Sequence, residues 1–565
     1  MVTAAGCILR LVHLDGTSLS HFDEGVYVLW GLAGGYPGKE FFAPPLFPFL
    51  IGALGTIVGS GEFGAQILSA LFGAATIPIV WWISRMLFGT SAAMATASLA
   101  AFSGSHIAFS RLALTDAAFT FWFVLSSGLI LWSVGFVTRD KVAWSVADPS
   151  LVPSSSPGIS AGSVGGRGRT VWLTTIVAGL ATGAALNTKY NGFLVLAIAA
   201  AATLWEMLLS FHRRQPLTVS LVRLAAISVI AMLLYLPWFL HVQSAHGYGS
   251  LLAHHRGYST GWENWFGNLV TIFGTQSFLG RDSGFVAPVA AVLVCLACRG
   301  APMSVRNIML VAIVGAGGFA LGDGLTFGLG LIGLVAGVCT LNSGGRFLLV
   351  WIVALTLLTP LYRPYARLML PVLAGGWIAF GWLVSRVTYV TSPVTSRIRF
   401  TWSIALLACL GGTAVAWFSV RPVAQGADLR TACDHAVRML PDREAAITYV
   451  RPPALYYLFR LSGPRVGAPG NPADREAFRH WIADPAAARL LIVDQALLHD
   501  NQTLGAEIDH AGDRLEEVGR VAYRPAAPVV LDDFFPGADA SEIEAAITRT
   551  YQLVVYRKVR PSGSR

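Results

Sequence analysis

A polytopic α-helical membrane protein with about 13 transmembrane helices, ending in a small C-terminal α/β domain, is the fold class this sequence predicts. Three observations predict it. Of 565 residues, 54% are hydrophobic and only 13% are charged, a balance that ordinary soluble domains do not keep. The apolar residues gather into runs near the length a bilayer requires, about 20 residues each. From Arg421 onward, short apolar strands alternate with amphipathic stretches, the pattern of an α/β domain over 421–565 behind a membrane part over 1–420.

Taken in order, the first apolar segment, Val2 to Val12, is too short to span. The expectation is that the true start lies upstream and part of the first helix is missing; partial insertion is the alternative. The segment lacks the basic leader of a cleavable signal peptide. Leu46 to Val58 is apolar but also short, and reads as re-entrant or interfacial. Spans then follow near 64–87, 91–110, 115–137, 171–188, 192–210, 219–240, 284–298, 307–321, 325–341, 347–361, 368–386 and 401–420. The Ser/Gly/Pro-rich stretch inside 139–169 reads as a disordered cytoplasmic loop. In the tail, strands are expected at Ala446 to Val450, Leu490 to Val493 and Val529 to Leu531, and helices at Ala454 to Leu461, Arg475 to Ile482 and Ala540 to Thr548.

Charge orients these spans. Through Val420 there are 22 Lys and Arg against 12 Asp and Glu; from Arg421 onward there are 18 against 19. The basic excess thus belongs to the membrane part, where the positive-inside rule applies. If Leu46 to Val58 does not cross, Arg85, the 139–169 loop, Arg213, Arg214, Arg299, Arg306, Arg346 and the Arg386 to Arg399 loop share the cytoplasmic side. Asp23, Glu24, Arg111, Asp116, Lys189, the 241–283 loop, Arg363, Arg367 and the tail then share the other. An active site on the outer face follows, built from loops 15–63 and 241–283. No Lys/Arg tract interleaved with aromatics exists to bind nucleic acid. Cys295 and Cys298 have a CxxC spacing inside an apolar run without further ligands, which reads as packing.

The polar residues at that face carry the chemistry. Asp23 and Glu24, in SLSHFDEGVY, are acids at a membrane edge. An acid there deprotonates an attacking hydroxyl or ligates a divalent cation; helix capping is the structural alternative. Arg111 and Asp116, in SRLALTD, flank one outer turn, either as a salt bridge or with Asp116 supporting Asp23. Lys189, in LNTKYNG, neutralises a phosphate or snorkels. Arg363, Tyr365 and Arg367, in YRPYARLMLP, suit phosphate contact or an interfacial belt. The histidine- and aromatic-rich 241–282 stretch covers the site or forms an acceptor groove, and its adjacent His254 and His255 lack the spacing of a helical metal site.

SLSHFDEGVY followed by APPLFP, the SRLALTD block, the TK-plus-Gly turn and YRPYARLMLP together resemble the GT-C membrane glycosyltransferases that use lipid-linked sugars. That branch includes protein O-mannosyltransferases and the transferases that put aminoarabinose on lipid A. The resemblance covers roughly 8–200 and 360–375. It implies a GT-C-like transmembrane domain, a polyprenyl-phosphate sugar donor and an inverting transfer to an extracytoplasmic hydroxyl on a glycan, lipid or protein. It implies Asp23 as base with Asp116 and Glu24 in the catalytic group, and Lys189, Arg363, Arg367, Arg111 and Tyr365 at the donor phosphate. A divalent cation, if one is used, would draw on Asp23, Asp116 and Glu40. One departure is Ala43, where relatives carry Lys or His before Pro-Pro; Lys39 and Glu40 lie just upstream. The localisation implied is the cytoplasmic membrane of the cell, with the tail extracytoplasmic. A transporter or flippase of lipid-linked glycans is the rival class, and it predicts ionisable groups near mid-membrane.

Overall fold

A computed structural model of the chain describes residues 1–14, 16–33, 43–136, 164–210, 218–245, 247–279, 284–298, 305–338, 341–387, 428–441, 444–463, 466–467, 475–484, 487–500, 502–525, 541–542, 545 and 548–559. Lys39, Glu40, most of the 139–169 loop, the 401–420 span and the Val529 to Leu531 strand lie outside them, as do most residues of the 540–548 helix.

Helices α1 (Val2–Leu11) and α2 (Phe22–Ala33) bracket the first loop. Next come α3 (Leu46–Val58), α4 (Gly61–Phe88), α5 (Thr90–Phe102), α6 (Gly104–Ser110) and α7 (Thr115–Val134). After them run α8 (Val164–Thr188), α9 (Phe193–Ser210), α10 (Thr218–Ala245), α11 (Gly247–Arg256) and α12 (Trp265–Leu279). The membrane part continues with α13 (Val286–Cys298), α14 (Val305–Leu321), α15 (Asp323–Ala336), α16 (Ser343–Leu358) and α17 (Leu370–Val387). Their ends follow local chemistry. The Ser60 side chain caps α4 by accepting from the Phe63 N–H, and Asn342 caps α16 by accepting from the Gly345 N–H. Helix α7 stops at Gly135, whose φ of 93° suits a residue without Cβ.

Among the described residues, 7 helices are long and apolar enough to cross a membrane, or 8 if α5 and α6 form one bent span. The sequence counted more. Helices α1, α13, α14 and α15 have 10, 13, 17 and 14 residues, shorter than the about 20 that a span usually takes, and Leu46–Val58 is likewise a short apolar helix.

The bend between α5 and α6 is 55°. Distant side chains meet both ends of the break. The carbonyls of Ala100 and Ala101, at the negative end of α5, accept from the Arg10 guanidinium at 2.8 and 3.2 Å. At the positive end of α6, Asp323 accepts from the Ser103 hydroxyl at 2.8 Å and the Ser105 N–H at 3.2 Å. The break turns α6 so that the short loop from Arg111 to Leu114 meets the first loop of the chain.

The tail contains α18 (Leu429–Arg438), β1 (Ala446–Tyr449), α19 (Pro452–Ser462), β2 (Val466–Gly467), α20 (Arg475–Ala483) and β3 (Leu490–Asp494). It ends with α21 (Gln495–Asp500), α22 (Gln502–His510), β4 (Leu515–Tyr523) and β5 (Tyr551–Lys558). The five strands form one mixed sheet in the order β2-β1-β3-β5-β4, with β1 parallel to β2 and β3, and β5 antiparallel to β3 and β4. Strands β1 and β3 and helices α19 and α20 stand where the sequence put them; β2, β4 and β5 were not anticipated. At the carboxyl ends of β1 and β3, Arg451 donates to Asp494 at 3.2 Å and to the Tyr523 hydroxyl at 3.0 Å, and that hydroxyl donates to Asp494 at 2.6 Å. This buried trio fills the crevice where open α/β sheets usually take a ligand.

Candidate functional site

The first loop is folded around Glu24. Its carboxylate is fully buried, with Oε2 accepting from the N–H groups of Ser20 and His21 at 2.8 and 2.9 Å and Oε1 from the Ala113 N–H at 2.7 Å. Burial pushes this carboxyl above its ordinary value, and the three donors and His21 pull the other way. Glu24 thereby ties the 20–24 turn to the loop between α6 and α7.

That tie brings Asp23 and Asp116 to one place. Asp23 is the more open, its side chain 32% exposed, and Oδ2 accepts from Arg367 Nη1 at 3.1 Å. The same Nη1 lies 3.1 Å from His21 Nε2, and the Asp23 backbone N–H donates to His21 Nδ1 at 3.0 Å. Asp116 is buried, and Lys189 Nζ donates to its Oδ1 at 2.5 Å. The charges of Lys189, Arg367 and His21 all act on Asp116. Tyr27, one helical turn beyond Asp23, hydrogen-bonds Thr115, and burial together with the charge of Asp23 holds its hydroxyl well above the usual range. Two carboxylates and two cations thus pair at this site.

A second group of side chains lies beside Lys189. His255 Nδ1 is 3.1 Å from the Tyr362 hydroxyl, and the His255 ring stands edge-on to Tyr190. Burial, then the charges of His254 and Lys189, hold the His255 imidazole below its ordinary value. The exposed Arg363 sits over the Tyr258 ring at 4.8 Å, and Arg367 lies 5.1 Å from the Tyr365 ring. A short antiparallel bridge from Ser259 to Tyr362 joins the two loops. Tyr365 is half-buried between Tyr362 and Arg367.

Asp23, Asp116, Lys189 and Arg367 are therefore brought together, and Arg363 and Tyr365 lie on the adjoining segment. Arg111 is not at that cluster. Its guanidinium donates to the carbonyls of Leu9, Arg10, Val12 and His13 at 2.7 to 3.3 Å, closing the end of α1. The Arg111–Asp116 salt bridge weighed from sequence does not form, because each residue has another partner. Glu40 lies outside the described residues.

A divalent cation at this site would need carboxylates free of protein partners. Asp23 faces a guanidinium and Asp116 an ammonium, so both carboxylates are already balanced by protein charges. Among the described residues no three His, Cys, Asp or Glu side chains gather as ligands. Asp23 and Asp116 thus each already face a protein cation, and the third candidate ligand, Glu40, lies outside the described residues.

Sequence reasoning missed His21, Tyr27, Tyr362 and Glu62. The i, i+4 spacing from Asp23 to Tyr27 was a usable signal, since it places both on one helix face. Glu62, a lone acid opening an apolar span, gave none for its partners.

A family model described as dolichyl-phosphate-mannose-protein mannosyltransferase matches residues 43–147, which carry Arg111 and Asp116 but not Asp23. No curated protein matches the chain. Among solved structures, the oligosaccharyltransferase of Archaeoglobus fulgidus in its apo form is similar with a TM-score of 0.53 at 15% identity, over 93% of this chain and 73% of that one. The archaeal oligosaccharyltransferase AglB from the same organism, in complex with an inhibitory peptide and a dolichol-phosphate, gives 0.52 at 13% identity over 93% and 73%. ArnT from Cupriavidus metallidurans in the apo state gives 0.50 at 17% identity, over 99% of this chain and 97% of that one. These are GT-C glycosyltransferases, and the fold of this chain is the GT-C fold.

Proposed function

We propose that the chain is an inverting glycosyltransferase that moves a sugar from a polyprenyl-phosphate donor to an acceptor hydroxyl on the outer face of the cytoplasmic membrane. The observation that carries this reading is the meeting of Asp23, Asp116, Lys189 and Arg367 from four separate segments at one end of a GT-C bundle. AglB, similar in fold, was solved with a dolichol-phosphate, which supports a lipid-phosphate donor here. The division into a membrane part over 1–420 and an extracytoplasmic domain over 421–565 belongs to the same reading. It is supported by the contact of Tyr457 with Leu19, four residues before Asp23.

In the reaction, the acceptor oxygen attacks the anomeric carbon from the face opposite the phosphate. Asp23, the more exposed acid, takes the hydroxyl proton as the new C–O bond forms. The bond from the anomeric carbon to the phosphate oxygen breaks in the same step, and its electron pair leaves with the polyprenyl phosphate. Lys189 and Arg363 face the negative charge that develops there, and Arg367 orients Asp23. Asp116 holds Lys189 in place. Glu24, with both oxygens engaged by backbone donors, frames the turn.

The test is transfer of radiolabelled sugar from a panel of polyprenyl-phosphate sugars to membrane extract, with wild type and Asp23→Asn compared at matched expression. The variant is expected to lose transfer by about 10²-fold or more, the scale of a missing general base. Transfer retained by the variant would remove Asp23 as the base. EDTA run in parallel is expected to leave wild-type transfer unchanged, since each carboxylate already has a protein cation beside it; inhibition restored by added divalent metal would overturn that.

A further inference from the structure

The tail grips the loop that carries Asp23. Glu62 opens α4 and is buried, and its Oε1 accepts from the Tyr457 hydroxyl at 2.5 Å and from the Arg430 guanidinium. Its Oε2 accepts from Arg460 at 3.4 Å, and its backbone N–H donates to the Tyr456 hydroxyl at 3.2 Å. Each tail group also holds the first loop or the helix end next to it. The Tyr457 hydroxyl accepts from the Leu19 N–H at 2.7 Å, and Arg430 donates to the Thr17 carbonyl at 3.0 Å. Gln66, one turn along α4 from Glu62, reaches the same carbonyl at 3.0 Å.

At its other end the loop meets the start of α19. A Cβ on Gly25 would lie 2.2 Å from the Pro453 nitrogen, so α2 and the Pro452–Pro453 step are in backbone contact. That step cannot move freely, because Arg451 before it is held by Asp494 and Tyr523 of the sheet. Asp23 lies between the two anchors, Leu19 and Gly25.

Resting on the transferase reading, the geometry points to Glu62 as a positioning residue: with Tyr457 and Arg430 it fixes the 17–25 segment, and hence Asp23, so that the tail builds the site from which the acceptor is activated. Glu62 touches no reacting atom in this arrangement. Its effect passes through the Tyr457 hydroxyl, which accepts from Leu19 with one lone pair while donating its own proton to Glu62. A displacement of about 1 Å at a reacting group costs up to about 10²-fold in rate, so a loosened loop is read in kcat.

The experiment uses the full chain in membranes or detergent, with Glu62→Ala, Glu62→Gln and Tyr457→Phe at matched folded amounts. Two readouts are taken: kcat and donor KM in the label-transfer assay, and hydrogen exchange over the peptide containing residues 17–25. Glu62→Ala and Tyr457→Phe are expected to lower kcat by roughly 10- to 100-fold with donor KM within about twofold of wild type, and to raise exchange in 17–25. Glu62→Gln keeps an acceptor oxygen for Tyr457 and is expected to recover most of the loss. Wild-type kcat in Tyr457→Phe, or unchanged exchange in 17–25 in both Tyr457→Phe and Glu62→Ala, overturns the proposal. If wild type transfers no sugar from any donor, the transferase reading fails instead, and the exchange arm alone decides whether Glu62 fixes the loop.

Discussion

Asp116 and Lys189 define each other. A buried carboxylate with an ammonium 2.5 Å away is stable only while both are present, because removal of one leaves a charge in a low-dielectric site. Lys189→Met is expected to cost about 3 kcal/mol, measured by thermal unfolding in detergent. The double variant Lys189→Met with Asp116→Asn is expected to recover most of that stability and none of the transfer activity, which separates the structural share of the pair from its chemical share. Arg111 makes the opposite case. Its four carbonyl partners at the end of α1 assign it to folding, so Arg111→Ala is expected to reduce the amount of folded protein while leaving kcat/KM per folded molecule near wild type. The residue types at the site were legible in the sequence, since acids, a lysine and arginines at the ends of apolar runs need a reason to be there. Their pairings were not. Asp23 and Arg367 are 344 positions apart, and only the bundle decides that they meet.

At the scale of elements, the break between α5 and α6 aims the site. Nothing in the hydropathy of the 91–110 run marks a division, although Ser103, Gly104 and Ser105 in succession are compatible with a break. The partners that make the break stable, Arg10 and Asp323, come from distant helices. Ser103 both caps α6 through His106 and donates to Asp323, so Ser103→Ala is expected to lower stability by about 1 kcal/mol or more, read as a fall in thermal midpoint. Helix α11 has a pH-dependent hold. His255 Nδ1 meets the Tyr362 hydroxyl, and its imidazole is held below the ordinary value by burial and by nearby positive charge. The unfolded or released state therefore binds a proton that the docked state does not. Stability of the docked α11 is present above the ordinary imidazole range, falls as pH drops through it, and levels off below the depressed native value. Limited proteolysis of the 247–264 segment is expected to quicken as pH falls from about 7 to 5.5, and His255→Gln is expected to flatten that dependence.

At the scale of the whole molecule, the membrane part and the tail are joined by polar contacts to a buried acid, not by a simple tether. Removing residues 428–565 would leave Glu62 without Arg430, Tyr457 and Arg460. Such a chain is expected to insert into membranes yet become protease-sensitive across 17–25, checked by cleavage mapping. Long apolar runs announced the spans because length and hydropathy are local properties, whereas helices α13 to α15 are apolar but shorter than the other spans. In the tail, β1 and β3 were legible as compact apolar runs. Strand β4, largely exposed and opening Leu-Glu-Glu, had no such signal, because an edge strand draws its order from its neighbour.

The position of β5 in the sheet has a consequence in time. It lies between β3 and β4, yet it follows both in the chain, so β4 has no neighbour to pair with until β5 has been made. Tyr523, which closes the contacts around Arg451, is the final residue of that waiting strand. During synthesis Arg430 and Tyr457, which hold residues 17–25, are thus made before the strand that carries Tyr523 has its partner. A growing chain carries every acid and base of the site, and the residues that grip 17–25, before the sheet behind that grip has closed.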